Sequence, residues 1–271
     1  MSAVLYDVSD SVATITLNRP ETLNSMNDEL MTGIRSAIQQ VHSDESIRVV
    51  VLTGSGRGFC SGADLSAGGE DADDNDPSAA GDDIAAAMDD VFHPAIQALS
   101  DCLVPTIGRV NGVAAGGGFG LALCCDIVIA ARSAFFVSTF GPRLGIVPDM
   151  GTTWHLPMLA GPARARGIAM LGDRISADQA AQWGLIWESV DDEELDSAVG
   201  RAAAIIGRSS PDAMTRIRSA IAGAERNSFA DQLEVEREHQ RILIPRNMAE
   251  GAAAFMGKRE PNFDGARRGS N

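Results

Sequence analysis

Two glycine-rich segments of the chain could present backbone N–H groups to a ligand. They are residues 58–65, GFCSGADL, and residues 111–118, NGVAAGGG. Each follows an apolar run typical of a buried strand and leads into a sequence that favours a helix. The first N–H groups of a helix have no partner inside it, and such donors stabilise a developing oxyanion when they point at it. Each segment by itself is better explained as an ordinary turn between a strand and a helix, because glycine turns are common.

Neither segment has the spacing of a phosphate-binding loop. The pattern GxxxxGK[ST] is absent, and the glycines at 116–118 are not followed by a glycine at the dinucleotide-binding spacing. The net charge of −15 also argues against nucleic acid and anionic lipid as partners. It does not exclude a small anionic ligand, which needs only local basic groups and N–H donors.

The elements that would position these segments alternate between strand and helix. Strand patterns cover residues 11–18, 48–53, 104–110 and 126–131, and helical patterns cover residues 27–41, 84–102 and 116–125. This alternation predicts an α/β layer architecture with parallel strand pairing. An acidic, Gly/Ala-rich stretch at 66–83 is predicted to be a mobile surface loop, since it is nearly devoid of large apolar residues.

Beyond about Pro148 the sequence is mainly helical. Helical patterns cover residues 192–208, 211–226, 228–244 and 247–259, and Ser176 with Gln179 indicates a capping box before a further helix. This part has too few long apolar stretches to form an independent core. We therefore expect it to pack on the first part or on a neighbouring subunit.

Composition and cysteine usage indicate a cytoplasmic protein. With 271 residues, the chain is long enough for one large domain or one domain with an appendage. The four cysteines include an adjacent pair in an apolar run, Cys124 and Cys125, and none has metal-ligand spacing, so we predict neither a disulfide framework nor a metal site. The N-terminus lacks the pattern of a signal peptide. The most apolar stretch, 119–131, is too short to span a bilayer.

The two glycine segments belong to a longer series of ordered motifs. They are TLNRP at 16–20, NSM at 24–26, FCSGADL at 59–65, IGRVNGVAAGGGFGLALCCDI at 107–127, LGIVP at 144–148 and AFMGKR at 254–259. In these motifs the chain resembles the crotonase (enoyl-CoA hydratase/isomerase) superfamily over nearly its whole length. The resemblance implies an α/β fold, with a repeated ββα spiral at 1–200 and a helical trimerisation region at 201–271. It also implies an acyl-CoA thioester substrate, no separate cofactor, and a homotrimer or a dimer of trimers.

The resemblance also assigns roles to individual residues. It implies that the N–H groups of Ala63 and Gly117 form an oxyanion hole for the thioester carbonyl. The same comparison gives a set of candidate substrate-binding or coenzyme A-binding residues: Arg19 near the CoA phosphates, Ser61, Asp64, Leu65, Gly116, and Phe255 with Lys258, which would reach CoA from a neighbouring subunit. Asp64 has an alternative role as a turn or capping residue. Lys258 could equally be a solvated lysine at a helix end.

Two glutamates that activate water in the hydratases of this superfamily are missing. The first position lies two residues after the triple glycine and holds Gly120, and the second position falls near Gly141. Adding water across a double bond requires a base for the water and an acid at the α-carbon. Ordinary hydratase activity is therefore in doubt.

One acid remains in the right region, Asp149, which follows the LGIVP motif. The family context makes it our candidate for a proton shuttle or a nucleophile, and its local alternative is a helix N-cap. Burial would raise its pKa and a helix N-terminus would lower it. His93, His155 and His239 show no partner pattern, and we expect each to be a surface or satisfied side chain.

Three functions stay open at this point. The first is a double-bond isomerase that converts a 3-enoyl-CoA into a 2-enoyl-CoA, for which one acid suffices. The second is an enoyl-CoA hydratase with a non-standard site. The third is an acyl-CoA-binding protein that has lost its reaction, which the missing glutamates would explain.

Overall fold

The computed structural model describes residues 2–65 and 77–263. Of the stretch predicted to be a loop, residues 66–76 lie outside the described residues. The prediction is wrong for its last part, because Pro77–Ala87 is a helix. Proline suits the first turn of a helix, and alanine has the highest helix propensity, so the local sequence accounts for this difference.

The described strands form two sheets. Their bounds are β1 (Val4–Ser9), β2 (Val12–Leu17), β3 (Val49–Gly54), β4 (Gly58–Cys60), β5 (Thr106–Val110), β6 (Val113–Ala115), β7 (Ile127–Ala131), β8 (Phe135–Val137), β9 (Ile175–Ser176) and β10 (Glu188–Val190). The larger sheet has the order β1-β2-β3-β5-β7-β10, and the smaller has the order β4-β6-β8-β9.

The described helices pack around these sheets. Their bounds are α1 (Asp28–Ser43), α2 (Pro77–Ala87), α3 (His93–Ser100), α4 (Gly117–Leu123), α5 (Thr152–Leu171), α6 (Ala177–Gln182), α7 (Leu195–Arg208), α8 (Pro211–Ala224) and α9 (Phe229–Gly257). Short 3-10 turns occur at Pro20–Thr22 and Asp192–Glu194, and π-helical turns occur at Met88–Phe92 and Phe140–Leu144.

The chain follows a repeated path in which each turn adds one strand to each sheet. In the larger sheet β3, β5 and β7 are parallel neighbours, and in the smaller sheet β4, β6 and β8 are parallel neighbours. The prediction of an α/β architecture with parallel pairing is therefore confirmed. Because parallel neighbours run in the same direction, β3 and β5 end at the same edge, and the two glycine-rich segments leave the larger sheet there.

Apolar periodicity explains how the central elements are buried. All six residues of β3 are buried, as expected for a strand that has a parallel neighbour on each side. The predicted stripe of α1 is buried as well, at Leu30, Ile34, Ile38 and Val41. Asn27 begins this helix, and its side chain accepts a hydrogen bond from the Leu30 N–H at 3.0 Å. Full burial of one such aliphatic side chain contributes about 1.5–3 kcal/mol.

The C-terminal helices leave most of their surface uncovered. No residue of α8 is buried, and in α9 only Ala254 is. The predicted break near Pro245 is wrong, because α9 continues through it. Contacts to the start of α8 hold the residues that follow the proline: Asn247 Nδ2 donates to Ser210 Oγ at 3.0 Å, and Arg246 pairs with Asp212.

Three remaining features are the cap of α6, the division between domains and the length of the apolar helices. The Ser176 side chain accepts a hydrogen bond from the Gln179 N–H at 3.2 Å, so the predicted cap of α6 is confirmed. The predicted division at residue 200 lies inside α7, and the domain division itself stays a prediction. None of the described helices is long and apolar enough to cross a bilayer.

Candidate active site

The first candidate donor, the Ala63 N–H, lies beside Met26. The two residues form an isolated parallel bridge, in which the Met26 N–H donates to Gly62 O at 2.7 Å and the Asp64 N–H donates to Met26 O at 2.9 Å. These bonds use both backbone groups of Met26 and none of Ala63. The Ala63 N–H is therefore directed away from Met26, and it has no hydrogen-bond partner among the described residues.

The second candidate donor, the Gly117 N–H, is at the start of α4. Gly116 precedes the helix with a φ of 52°, which glycine adopts at little cost. The Gly116 N–H donates to Val137 O at 2.9 Å. The Gly117 N–H, by contrast, has no hydrogen-bond partner within residues 2–65 and 77–263, as expected in the first turn of a helix.

Close packing brings the two glycine-rich segments together. A Cβ built on Gly62 would lie 2.9 Å from Ala115 O and 3.6 Å from Gly116 Cα. A Cβ built on Gly117 would collide with the methyl group of Met26, which is the residue that pairs with Ala63. Both candidate donors therefore flank Met26, although they are far apart in the sequence.

The structure places Asp149 beside the same group of residues. A Cβ built on Gly117 would lie 3.5 Å from Asp149 Oδ1. This oxygen is buried and has no hydrogen-bond partner among the described residues. Two successive residues with left-handed backbone conformations, Met150 at φ 50° and Gly151 at φ 74°, turn the chain from Asp149 into α5. The N-cap of α5 is Gly151, so the alternative role of Asp149 as a helix N-cap is wrong.

Burial controls the protonation of Asp149. Desolvation raises the pKa of its carboxyl group above the usual range, and the dipole of its own backbone N–H together with the charge of His93 acts in the opposite direction. The sequence alone does not determine whether the pKa of Asp149 is raised or lowered, because it does not show how exposed the side chain is to solvent. A carboxyl group with a raised pKa is suited to both accepting and returning a proton near neutral pH.

The raised pKa of Asp149 predicts a pH-dependent stability difference for Asp149→Asn. In the folded chain the carboxyl keeps its proton to a higher pH than in the unfolded chain, so its contribution to folding is present at low pH and is lost as the pH rises through the folded-state pKa. The neutral amide does not titrate. We therefore expect the difference between the Tm of Asp149→Asn and that of wild type to shift in favour of the variant as the pH rises. The shift should begin at about pH 4, near the unfolded-state pKa, and continue to about pH 8. Thermal unfolding at a series of pH values tests this, and a pH-independent difference would contradict it.

The positions of the missing glutamates differ in the space that surrounds them. A Cβ built on Gly120 would lie 2.5 Å from Met150 O and 2.6 Å from Thr152 Oγ1. Gly141 is exposed, and the atom nearest to a Cβ built on it is Ala169 O, at 3.3 Å. The space beside Gly120 is thus occupied by the turn that carries Asp149, and the chain could not accept a glutamate there without moving that turn.

Four predicted substrate-binding residues lie at or next to the Ala63 segment. Ser61 Oγ donates to Thr22 O at 2.8 Å. Asp64 forms an ion pair with Arg19, with 2.6 Å between Oδ2 and Nη2. Leu65 is 72% exposed. The guanidinium of Arg19 thus has a protein partner, and its approach to CoA phosphates stays a prediction.

Phe255 and Lys258 lie at the C-terminal end of α9. Both are exposed near the end of α9, and the residues that follow contact Arg48, whose Nη2 donates to Phe263 O at 3.2 Å. Arg48 precedes β3, whereas the glycine-rich segment at 58–65 follows it. The strand is about 20 Å long, so the residues that follow α9 contact the end of β3 that is opposite the glycine-rich segments. The contact of Phe255 and Lys258 with CoA stays a prediction.

His93 interacts with Asp149, which no pattern in the sequence indicates. The charge of His93 partly offsets the rise that burial causes in the pKa of Asp149. The Nδ1 of His93 lies 3.3 Å from Asp89 Oδ1. His93 begins α3 directly after a π-helical turn, and no local pattern links it to a residue so far along the chain. His155 lies at the start of α5, where burial lowers the pKa of its imidazole.

Among the described residues, two unpartnered backbone N–H groups and the carboxyl group of Asp149 thus lie close to Met26 and Gly117, on a spiral of two parallel sheets. The sequence profile of the enoyl-CoA hydratase/isomerase family matches residues 7–266. The 1,2-epoxyphenylacetyl-CoA isomerase of Escherichia coli (strain K12) is 44% identical over 98% of this chain and 99% of its own. A protein of Rhodobacter capsulatus described as a probable enoyl-CoA hydratase is 38% identical over 97% of this chain and 98% of its own.

A solved structure supports the same assignment. The crystal structure of an enoyl-CoA hydratase from Bacillus anthracis has a TM-score of 0.87 at 30% identity, and the match covers 96% of this chain and 98% of that one. The chain belongs to the enoyl-CoA hydratase/isomerase family, and its crotonase fold is confirmed. It is an acyl-CoA enzyme of that family.

Proposed function

We propose that this enzyme isomerises the double bond of an acyl-CoA thioester, from the 3-enoyl to the 2-enoyl position, with Asp149 as the only proton shuttle. The observation that carries the proposal is the buried, unpartnered Oδ1 of Asp149 beside Gly117. A buried polar atom without a partner is costly. A substrate proton would provide that partner during turnover.

The reaction needs one base that also acts as an acid. The Asp149 carboxylate removes a proton from C2 of the 3-enoyl thioester, and the electron pair of that C–H bond delocalises into a dienolate. The N–H groups of Ala63 and Gly117 hold the dienolate oxygen. Protonated Asp149 then returns the proton to C4, and the double bond moves from C3–C4 to C2–C3. The proton and the electron pairs balance without a second catalytic group.

Hydration is the less favoured reaction, even though relatives are named as hydratases. It requires one group to deprotonate water and another to protonate the α-carbon. Of the two positions that would supply carboxylates, Gly120 has no space for a side chain and Gly141 is exposed. A single acid therefore supports a proton shuttle better than the addition of water.

A second candidate substrate follows from the relative in Escherichia coli. That protein is named 1,2-epoxyphenylacetyl-CoA isomerase and is 44% identical to this chain over nearly its full length. We propose 1,2-epoxyphenylacetyl-CoA as the alternative substrate. It is also an isomerisation substrate with a CoA thioester, so the same N–H groups and the same Asp149 would serve it.

The remaining features of the proposal concern assembly and location. We propose a homotrimer or a dimer of trimers in the cytoplasm, with CoA entering only as part of the substrate. The open surfaces of α8 and α9 support association. Phe255 and Lys258 are exposed near the end of α9, and we propose that they contact CoA bound to a neighbouring subunit.

Direct assays separate these functions. We expect the enzyme to convert 3-hexenoyl-CoA into 2-hexenoyl-CoA, detected by the ultraviolet absorbance of the conjugated thioester, and to hydrate crotonyl-CoA far more slowly, detected as the added mass of water. A parallel incubation with 1,2-epoxyphenylacetyl-CoA tests the alternative substrate. Faster hydration than isomerisation would overturn the proposal. Tight acyl-CoA binding without turnover of any substrate would instead indicate a protein that has lost its reaction.

A further inference from the structure

We infer that the Arg19–Asp64 ion pair positions the Ala63 N–H for the thioester oxygen, so that Arg19 and Asp64 are positioning residues of the oxyanion hole. This inference rests on the proposed function in one respect, namely that the Ala63 N–H is an oxyanion donor. Arg19 acts through Asp64 and Ser25, and neither partner needs to touch the reacting atoms.

The guanidinium group of Arg19 connects both sides of the bridge that holds Ala63. Its Nη2 lies 2.6 Å from Asp64 Oδ2. Its Nη1 donates to Ser25 O at 2.7 Å and to Ser25 Oγ at 3.0 Å. Asp64 directly follows Ala63, and Ser25 directly precedes Met26, the bridge partner of Ala63. The Arg19 side chain therefore links the two backbone segments on the Asp64 side of Ala63, while Ser61 links them on the other side.

Burial makes this ion pair stronger than a surface pair. The side chains of Arg19 and Asp64 are only 18% and 9% exposed, so solvent screens their attraction less than it would at the surface. The planar guanidinium presents its donors in a rigid fork. That geometry suits the simultaneous contact with a carboxylate on one segment and a carbonyl on the other.

A buried asparagine fixes Arg19 in turn. The backbone N–H of Arg19 donates to Asn24 Oδ1 at 2.8 Å. Asn24 Nδ2 donates to Gly58 O at 2.9 Å and to Ser55 O at 3.0 Å. Asn24 is fully buried and has a left-handed backbone with φ 58°. Through Asn24, the backbone of Arg19 is thus connected to β4, the strand that leads to Ala63.

The bridge needs this support because it is isolated. Met26 makes two backbone bonds across it, and a third bond, from the Ser61 N–H to Leu23 O at 3.0 Å, joins the two segments on the side before the bridge. No described strand continues the pairing beyond Ala63. A displacement of about 1 Å in a catalytic group can lower a rate about 100-fold. Loss of the ion pair is therefore expected to reduce catalysis while the fold and the rest of the binding site persist.

The test compares Asp64→Asn and Arg19→Lys with a matched ion pair elsewhere. The control pair is Arg218 and Asp126, which are also 2.6 Å apart and have side chains that are 21% and 26% exposed. Asp126 accepts a hydrogen bond from the Thr106 N–H at the start of β5. This pair therefore lies at the edge of the sheet opposite the glycine-rich segments. We expect kcat for 3-hexenoyl-CoA to fall about 10-fold to 100-fold in the first two variants. In Asp126→Asn and Arg218→Lys we expect kcat within about twofold of wild type, at a similar or larger loss of Tm.

Two binding measurements identify the cause of any loss. The ultraviolet red shift of bound crotonyl-CoA reports hydrogen bonding to the thioester oxygen without turnover, and we expect a smaller shift in Asp64→Asn and Arg19→Lys. Binding of an S-butyl-CoA thioether, which lacks the carbonyl, should stay within about twofold of wild type in both. An unchanged red shift overturns the inference. So does weaker thioether binding in Arg19→Lys alone, which would mean that Arg19 binds the CoA phosphates.

The same measurements separate this inference from the proposed function. If the wild-type protein polarises crotonyl-CoA and the two variants do not, the positioning role holds even when no 3-enoyl-CoA is isomerised. If isomerisation occurs but the wild type produces no red shift, the donor role of Ala63 fails and the inference fails with it. Thermal unfolding of each variant excludes misfolding as the reason for a lost signal.

Discussion

Asp149→Asn is expected to abolish the isomerisation of 3-hexenoyl-CoA, with a fall in kcat of about 10²–10⁴-fold, the usual contribution of a general acid–base. The amide has nearly the shape of the carboxyl group but does not take up a proton at neutral pH. The substitution removes the carboxyl group that lies beside Gly117. Acyl-CoA binding should persist, because the backbone donors of Ala63 and Gly117 remain.

A matched substitution separates chemistry from general charge effects. Asp7→Asn makes the same change at an exposed position on β1 and should leave kcat unchanged. Steady-state kinetics of both variants, with calorimetric measurement of acyl-CoA binding, completes the comparison. Unchanged isomerisation by Asp149→Asn would show that another group moves the proton. Loss of binding together with activity would show a structural role instead.

Gly120→Glu is expected to destabilise the protein and not to create a hydratase, although it restores the residue that hydratases have at this position. The new Cβ would lie 2.5 Å from Met150 O, a backbone atom that cannot rotate away. Overpacking of a core typically costs about 1–3 kcal/mol, which lowers the Tm by roughly 2–4 °C for each kcal/mol in a large domain. The substitution would also move the turn that carries Asp149, so isomerase activity should fall with stability.

Gly200→Glu provides the control for this prediction. Gly200 also lies within a helix, α7, but it is exposed and a Cβ built on it meets no atom within 4 Å. We expect the Tm and the activity of Gly200→Glu to stay close to those of wild type. The new side chain meets no neighbouring atom, and glutamate has a higher helix propensity than glycine. Crotonyl-CoA hydration by Gly120→Glu at an unchanged Tm would contradict the prediction, since it would show that the turn moves aside at little cost.

Much of the fold follows from local patterns in the sequence. The central strands β2, β3, β5 and β7, the helix α1 and the cap at Ser176 all lie close to their predicted positions. Each has a strong signal, either a continuous apolar run, a periodic stripe or a capping side chain. These signals are local, and the tertiary structure reinforces them.

The elements that the sequence did not predict are short or depend on distant partners. The strands of the smaller sheet have two or three residues, too few for a recognisable alternation, and they form only because the spiral places them side by side. Residues 77–83 were assigned to a loop because acidic and small residues dominate the surrounding stretch. The continuation of α9 through Pro245 depends on contacts with α8 that no local pattern reveals.

The sequence by itself determined the family, the two glycine-rich segments, the missing glutamates and the candidacy of Asp149, because each depends on residue types at fixed spacing. Only the tertiary structure decided how these parts act. It placed Met26 between Ala63 and Gly117 and gave Arg19 a protein partner. It also buried Asp149 enough to raise its pKa and filled the space beside Gly120. The physical reason is that desolvation, steric exclusion and charge pairing depend on distances between residues that are remote in the sequence, and only the folded chain sets those distances.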